Sequence, residues 1–173
     1  LRLLQLVERF LQSTRQVGII NSLIIFSYLI PFEEKKRTIA LGENKFSFYP
    51  RSDKGVLSHF YKTGYRIIGD VKLVFDIGAN IGDETLRFRR FHPEAIVVAV
   101  EASSRNFQIL AENFYADSSV HLVHGALWYE SGSLNLSSGS SFESFSIAGL
   151  NNNEIKNNRD QVVDSYSVWD LFD

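Results

Sequence analysis

Leu3, Leu4, Val7, Phe10 and Leu11 recur three and four residues apart, the spacing of one apolar stripe on a helix. The pattern predicts helix from Leu1 to about Ile30, broken in two at Gly18 and ended by Pro31. Glu33 to Arg37 reads as a charged connector. The period shortens to two in Lys45-Phe46-Ser47-Phe48-Tyr49, which predicts a strand stopped by Pro50. Lys54 to Tyr61 reads as a short helix with Asp53 as its N-cap. The stretch from Thr38 to Arg66 is thus expected to be a small β lead-in.

A different rhythm starts at Leu73. Leu73 to Asp76 is a short apolar run ending in an acid, followed by Gly78-Ala79-Asn80-Ile81-Gly82 and a helical stretch from Asp83 to Phe91. Ala95 to Val100 is a second apolar strand, closed by Glu101. Ser103 to Phe114 is a second helix, with Ser103 or Ser104 as cap and Phe107, Leu110 and Ala111 on one face. Val120 to His124 is a third strand. This alternation predicts an α/β fold, a Rossmann-like, doubly wound parallel sheet. Beyond Trp128, Gly132 to Leu136 and Val162 to Tyr166 read as strands, and Val168 to Phe172 starts something helical. Ser137 to Phe145 and Asn151 to Asn158 are polar and low in complexity, so they are expected to be loops. Three parallel strands are only the N-terminal half of such a sheet and would leave an open apolar edge. The chain is therefore expected to continue past Asp173. The organisation read from the sequence is a helical segment over 1–37 and an α/β domain over 38–173, incomplete on its C-terminal side.

Composition narrows the chemistry. At 173 residues and 45% hydrophobic, the chain can build one real core. A formal charge of −2 gives no support to nucleic acid as a partner. The absence of cysteine excludes disulfides, thiolate zinc sites, iron–sulfur clusters and a cysteine nucleophile. His59, His92, His121 and His124 show no ligand spacing, and no metal is expected. Ser137 to Ser141 lacks a G-x-S-x-G elbow. The chain has no methionine and begins at Leu1, which reads as a processed or excised product. Its longest apolar stretch, Val17 to Ile30, is about 14 residues, short of the roughly 20 that cross a bilayer. No small-x-small cleavage site follows it. Arg2, Arg9 and Arg15 precede it, so residues 1–30 are expected to pack on their own domain or a partner, or to touch a membrane peripherally.

The loop after Asp76 is the informative stretch. A strand delivers the chain to its carboxyl end, where such sheets bind ligands. Gly78 frees the turn, and Gly82 lets the next helix approach closely. Glu101 ends the next strand, nineteen residues after Gly82, where an acid accepts the hydroxyls of a ribose. An adenosine-type ligand is expected. Dinucleotide loops read G-x-G-x-x-G, whereas Asn80 stands at the second glycine position here, two residues beyond an Asp76-x-Gly78 pair. An acid at that place disfavours a pyrophosphate and favours a sulfonium amino acid, tilting the choice from NAD to S-adenosylmethionine.

VFDIGANIGDETLRF, VVAVEASSRNFQILAENF and VHLVHGALW together resemble the FkbM-type family of S-adenosylmethionine-dependent methyltransferases. The upstream KFSFYPRSDKGVLSHFYKTGYRI is similar to that family's lead-in, and the resemblance covers roughly residues 40 to 173. It implies a class I methyltransferase fold in which Asp76, Gly78, Ala79, Asn80 and Gly82 cradle the methionine part of the cofactor. Glu101 would take the ribose, with Ala102 and Ser103 beside the adenine and Gly125, Ala126 and Leu127 on its other side. It implies O-methylation of a sugar, glycolipid or natural product, with a small-molecule or glycan acceptor, in the cytoplasm where the cofactor resides. The family's next strand bears a K-x-D-x-E-G-like segment near the transfer centre, and this chain stops before it, so no catalytic residue is assigned. Two other readings stay open: a nicotinamide-dependent oxidoreductase with a variant loop, and a non-catalytic module whose N-terminal helices dock on a membrane or partner.

Overall fold

The computed structural model describes residues 2–29, 34–41, 44–60, 68–138, 145–147 and 161–172. Pro31, the expected loop over 151–158 and most of that over 137–145 lie outside them. The chain forms two compact units, Leu1–Ile68 and Gly69–Asp173.

The first unit opens with helices α1 (Arg2–Val17) and α2 (Ile19–Ile25) and a 3-10 turn, Phe26–Leu29. Gly18 separates the helices at φ 84°, a left-handed value that a side chain resists. α1 turns Ser13 and Val17 inward. The Ser13 and Ser22 hydroxyls share a buried hydrogen bond of 2.8 Å, and the Phe10 ring meets Phe26 edge-on at 5.5 Å. The expected stripe is therefore only partly used. Phe10 faces the unit, while Leu3, Leu4, Val7 and Leu11 stay exposed, because α1 seats on one flank of its apolar arc. Strands β1 (Arg37–Leu41) and β2 (Asn44–Phe48) form an antiparallel hairpin. The Asn21 side chain ties α2 to it, donating to the Ala40 carbonyl at 2.6 Å and accepting from the Ala40 amide at 3.3 Å. Ile39, Phe46, Phe48 and Leu57 are fully buried, each adding about 1.5 to 3 kcal/mol of apolar burial. The lead-in, which the sequence pattern groups with the main sheet, thus belongs to the helical unit. Asp53 precedes the turn as expected, its carbonyl accepting the Leu57 amide at 3.0 Å. Its carboxylate reaches back to the Tyr49 amide at 2.7 Å, and a 3-10 turn, Val56–Phe60, follows.

The second unit is the parallel α/β fold of the Rossmann-like class. β3 (Leu73–Ile77), α3 (Asp83–Phe91), β4 (Ile96–Glu101), α4 (Ser104–Phe114) and β5 (Val120–His124) follow in order. The strands lie side by side as β3-β4-β5, all parallel, with Asp76 opposite Ala99 and Ala99 opposite Leu122. α3 crosses from β3 to β4 and α4 from β4 to β5. Val97, Ala99 and Val100 in the central strand are buried, while Leu73, Ile77 and Ile96 remain exposed. Ser103 supplies the α4 cap, accepting from the Asn106 amide. α4 buries Asn106, Ile109, Leu110 and Phe114, a face rotated from the expected one, and half-buried Phe107 stacks on His124 at 4.5 Å. Arg89 pins the end of α3, pairing with Asp117 at 2.8 Å and donating to the Pro93 and Ala95 carbonyls.

A second sheet follows, built from β6 (Ala126–Leu127), β7 (Gly132–Ser138), β8 (Phe145–Ile147) and β9 (Gln161–Tyr166) in the order β6-β9-β7-β8. β7 and β9 pair antiparallel, Leu134 opposite Val163. Leu134, Leu136 and Val163 make a small core under Ala102, Ala126 and Trp128. The two sheets meet at Gly125, where an added Cβ would lie 2.5 Å from the Tyr166 ring and 2.6 Å from the Asp164 carbonyl. The phenylalanine at 172 folds back on the first sheet, its ring 5.1 Å from that of Phe75.

Candidate functional site

The loop between β3 and α3 is held by backbone bonds that its residue types permit. Gly78 and Ala79 both donate to the Val100 carbonyl at 2.9 Å, so the chain leaves β3 still attached to β4. Three of its residues adopt positive φ: Gly78 at 77°, Asn80 at 53° and Gly82 at 93°. Asn is among the few residues with a side chain that tolerate this region. The two glycines have different reasons to be glycine. A Cβ on Gly78 would enter open space, whereas one on Gly82 would strike Phe114 and come within 2.8 Å of Leu110. Asn113 of α4 closes the loop from below, donating to the Ile81 carbonyl at 2.8 Å.

Glu101 ties the parts together. One carboxylate oxygen accepts the Asn80 amide at 2.9 Å and the other accepts the Ser103 amide at 2.7 Å. Its own carbonyl accepts the Gly125 amide at 3.0 Å. The residue is only 7% exposed. Burial raises its carboxyl pKa above the ordinary value, and the Ser103 and Asn80 amides oppose that rise. A charged acceptor among backbone donors is the arrangement that makes such a carboxylate tolerable inside a protein.

These residues enclose a cavity of about 380 Å³, within the usual range for small-molecule sites. Gly78, Asn80, Glu101, Ala102, Gly125, Ala126 and Leu127 line it, together with Ile77, Val100, Asn106 and Leu136. Seven of the residues expected from the sequence thus converge on one space. The other four stand behind it. Asp76 accepts the Thr85 hydroxyl at 2.5 Å, Ala79 is buried, Gly82 packs on α4 and Ser103 caps it. The Asn80 side-chain oxygen is buried without a hydrogen-bond partner, an uncommon condition that suits a bound donor.

Asn106, Leu136 and Gln161 escaped the sequence reading. Gln161 accepts from the Ser104 hydroxyl at 2.8 Å and so braces the turn beside Glu101. It lies one residue before the strand predicted over Val162 to Tyr166, and the structure starts that strand at Gln161. Among the described residues no group of three His, Asp or Glu could hold a metal ion, and no helix is long and apolar enough to cross a membrane.

Burial lifts the Asp76 carboxyl from its ordinary 3.8 to about 6, the nearby Asp83 and Glu84 charges adding to the rise and the Thr85 hydroxyl opposing it. The folded protein therefore keeps a proton that the unfolded chain releases near 3.8. The stabilisation is full below that pH and is lost as pH climbs toward 6, at most about 3 kcal/mol. Asp76→Asn keeps an oxygen for Thr85 and removes the charge. Urea unfolding should show it more stable than the wild type by about 2 kcal/mol at neutral pH, with the slope between the two pKa values flattened. An unchanged pH profile would mean Asp76 is not the group responsible.

No family model matches the chain, and no curated protein does either. Two solved structures are similar. One is P. horikoshii TYW2 in complex with MeSAdo, at 16% identity and a TM-score of 0.37, covering 60% of this chain and 46% of that one. The other is a Pyrococcus horikoshii protein described provisionally as a transferase, at 15% identity and 0.38, covering 65% and 48%. The chain spans just under half of either protein, and likeness this distant carries no argument about activity.

Proposed function

We propose that the cavity holds S-adenosylmethionine and that the protein is a methyltransferase acting on a hydroxyl of a sugar, glycolipid or natural product, as the resemblance to the FkbM-type family implies. One observation carries the reading: the Glu101 carboxylate, at the end of β4, reaches the Asn80 amide in the loop after β3 and faces the cavity between them. Its two oxygens accept the Asn80 and Ser103 amides, and a carboxylate, with about four lone-pair sites, keeps acceptor capacity for a ribose hydroxyl. Ala102 and the Gly125–Leu127 turn flank the space next to it, offering small and apolar side chains to an adenine. Gly78 keeps the opposite side clear of any Cβ. The unpaired oxygen of Asn80 is placed to accept from the amino group of the methionine part. Asp76 and Glu101 make the surroundings acidic, which suits a cation and repels the pyrophosphate of a nicotinamide cofactor.

When bound, S-adenosylmethionine supplies an electrophilic methyl group on a positively charged sulfur. The residues of this chain bind and orient; the gain expected from them is positional. The acceptor hydroxyl and the group that takes its proton are not assigned to any described residue.

Calorimetry tests the reading. The intact protein should bind S-adenosylhomocysteine with micromolar affinity and release little heat with NADH. Asp76→Ala, which removes the support under the loop and its charge, should weaken binding at least about tenfold, or 1.4 kcal/mol. No heat from the wild type, or equal affinity in the variant, would count against it.

A further inference from the structure

The first unit has a feature the cofactor site does not use. Leu3, Leu4, Val7 and Leu11 of α1 and Ile19, Ile20 and Leu23 of α2 are all exposed, Leu4 and Ile20 by more than 70%. Isolated exposed leucines are ordinary, but seven on two successive helices make an apolar surface that asks for a cover. Charge says which kind. Leu1–Ile68 contains eleven Lys and Arg against five Asp and Glu, a formal +6, while Gly69–Asp173 contains seven against fifteen, a formal −8. The modest overall charge hides this polarity. Among the described cations of the first unit, Arg15, Lys35, Lys36, Arg37, Lys45 and Lys54 are all exposed.

Apolar and cationic groups also meet at one place. Leu23 and Ile24 of α2, Ser27 of the 3-10 turn after it, Lys36 just before β1, and Arg37 and Thr38 of β1 line an open cavity of about 440 Å³. The paired bonds between Asn21 and Ala40 hold the helix and strand in that register. Two cations and two hydroxyls beside exposed aliphatic side chains match a phosphate headgroup with its acyl chains alongside.

We infer that the first unit docks on an anionic phospholipid surface, α1 and α2 lying in the interface with their exposed leucines and isoleucines among the acyl chains. Lys36 and Arg37 take a headgroup phosphate. The apolar face supplies the attachment and the cations add the attraction to anionic lipid. The inference is independent of what occupies the cavity by Glu101.

Vesicle flotation of the full chain tests it. Phosphatidylcholine vesicles containing phosphatidylserine should carry the protein, and pure phosphatidylcholine vesicles should bind it at least about tenfold less. Binding should fall in high salt. Ile20→Glu combined with Leu23→Glu should abolish flotation, and Lys36→Glu combined with Arg37→Glu should remove the preference for phosphatidylserine. All four positions are at the surface of the first unit, and circular dichroism should show unchanged helix content. Failure of the wild type to float with anionic vesicles would overturn the inference, as would flotation that both double substitutions leave intact. Concentration-dependent self-association in sedimentation, lost in the same variants without any flotation, would overturn it too, and would show a second copy covering the face.

Discussion

Gly82→Ala should lower stability by about 3 kcal/mol and abolish cofactor binding. Two costs combine. A Cβ at φ 93° sits in the left-handed region, at about 1 to 2 kcal/mol. The same Cβ would also strike Phe114 and lie 2.8 Å from Leu110, and such overpacking typically adds about 1 to 3 kcal/mol. Phe114 and Leu110 are themselves buried, so neither can swing into solvent. The denaturation midpoint should drop without a change in slope. Gly78→Ala is the informative contrast, because its Cβ would meet nothing within 4 Å. It should cost about 1 kcal/mol for the backbone alone while still weakening binding, since the added methyl group projects into unfilled space beside the cavity. Equal stability losses at the two positions would contradict this account of the loop.

The second large effect belongs to Glu101. Glu101→Ala should leave the amides of Asn80 and Ser103 without their acceptor. Each buried donor left unmade costs about 1 to 3 kcal/mol, partly offset by relief of a buried charge. A net loss of about 2 to 3 kcal/mol is expected, with affinity for S-adenosylhomocysteine down at least about a hundredfold. Glu101→Gln separates the two roles. Its single oxygen can serve one amide but its NH2 group opposes the other, so part of the stability should return while the affinity does not. A variant that binds like the wild type would remove Glu101 from the site.

How much of this was legible depended on distance along the chain. The run β3–loop–α3–β4–α4–β5 is a succession of local patterns, apolar runs alternating with 3.6-residue periodicity, and its register places Asp76 and Glu101 at neighbouring strand ends. The local patterns could therefore bring Gly78, Asn80 and Glu101 to one end of the sheet, and the family resemblance added the Gly125–Leu127 turn. The second sheet was legible only as separate strands. Its β7–β9 pairing joins Gly132 to Ser165, and nothing local specifies that partner. Leu136 and Gln161 reach the site through this pairing, which explains why neither stood out. Asn106 was hidden for another reason: a polar residue near a helix start looks like a surface position until the helix rotation is known. α1 shows the same limit. Its apolar arc is plain in the sequence, but which flank of the arc the unit covers is decided by the Ser13–Ser22 and Phe10–Phe26 contacts.

The central claim is that the cavity beside Glu101 is a nucleoside site for S-adenosylmethionine. Titrating isotope-labelled protein with S-adenosylhomocysteine, and following backbone amide resonances by NMR, tests it most directly. The account predicts saturable, micromolar shifts concentrated at Gly78, Asn80, Ala102, Ala126 and Leu127, with the first unit unaffected. An absence of shifts at millimolar ligand, shifts centred elsewhere, or the same residues responding more strongly to NADH would contradict it.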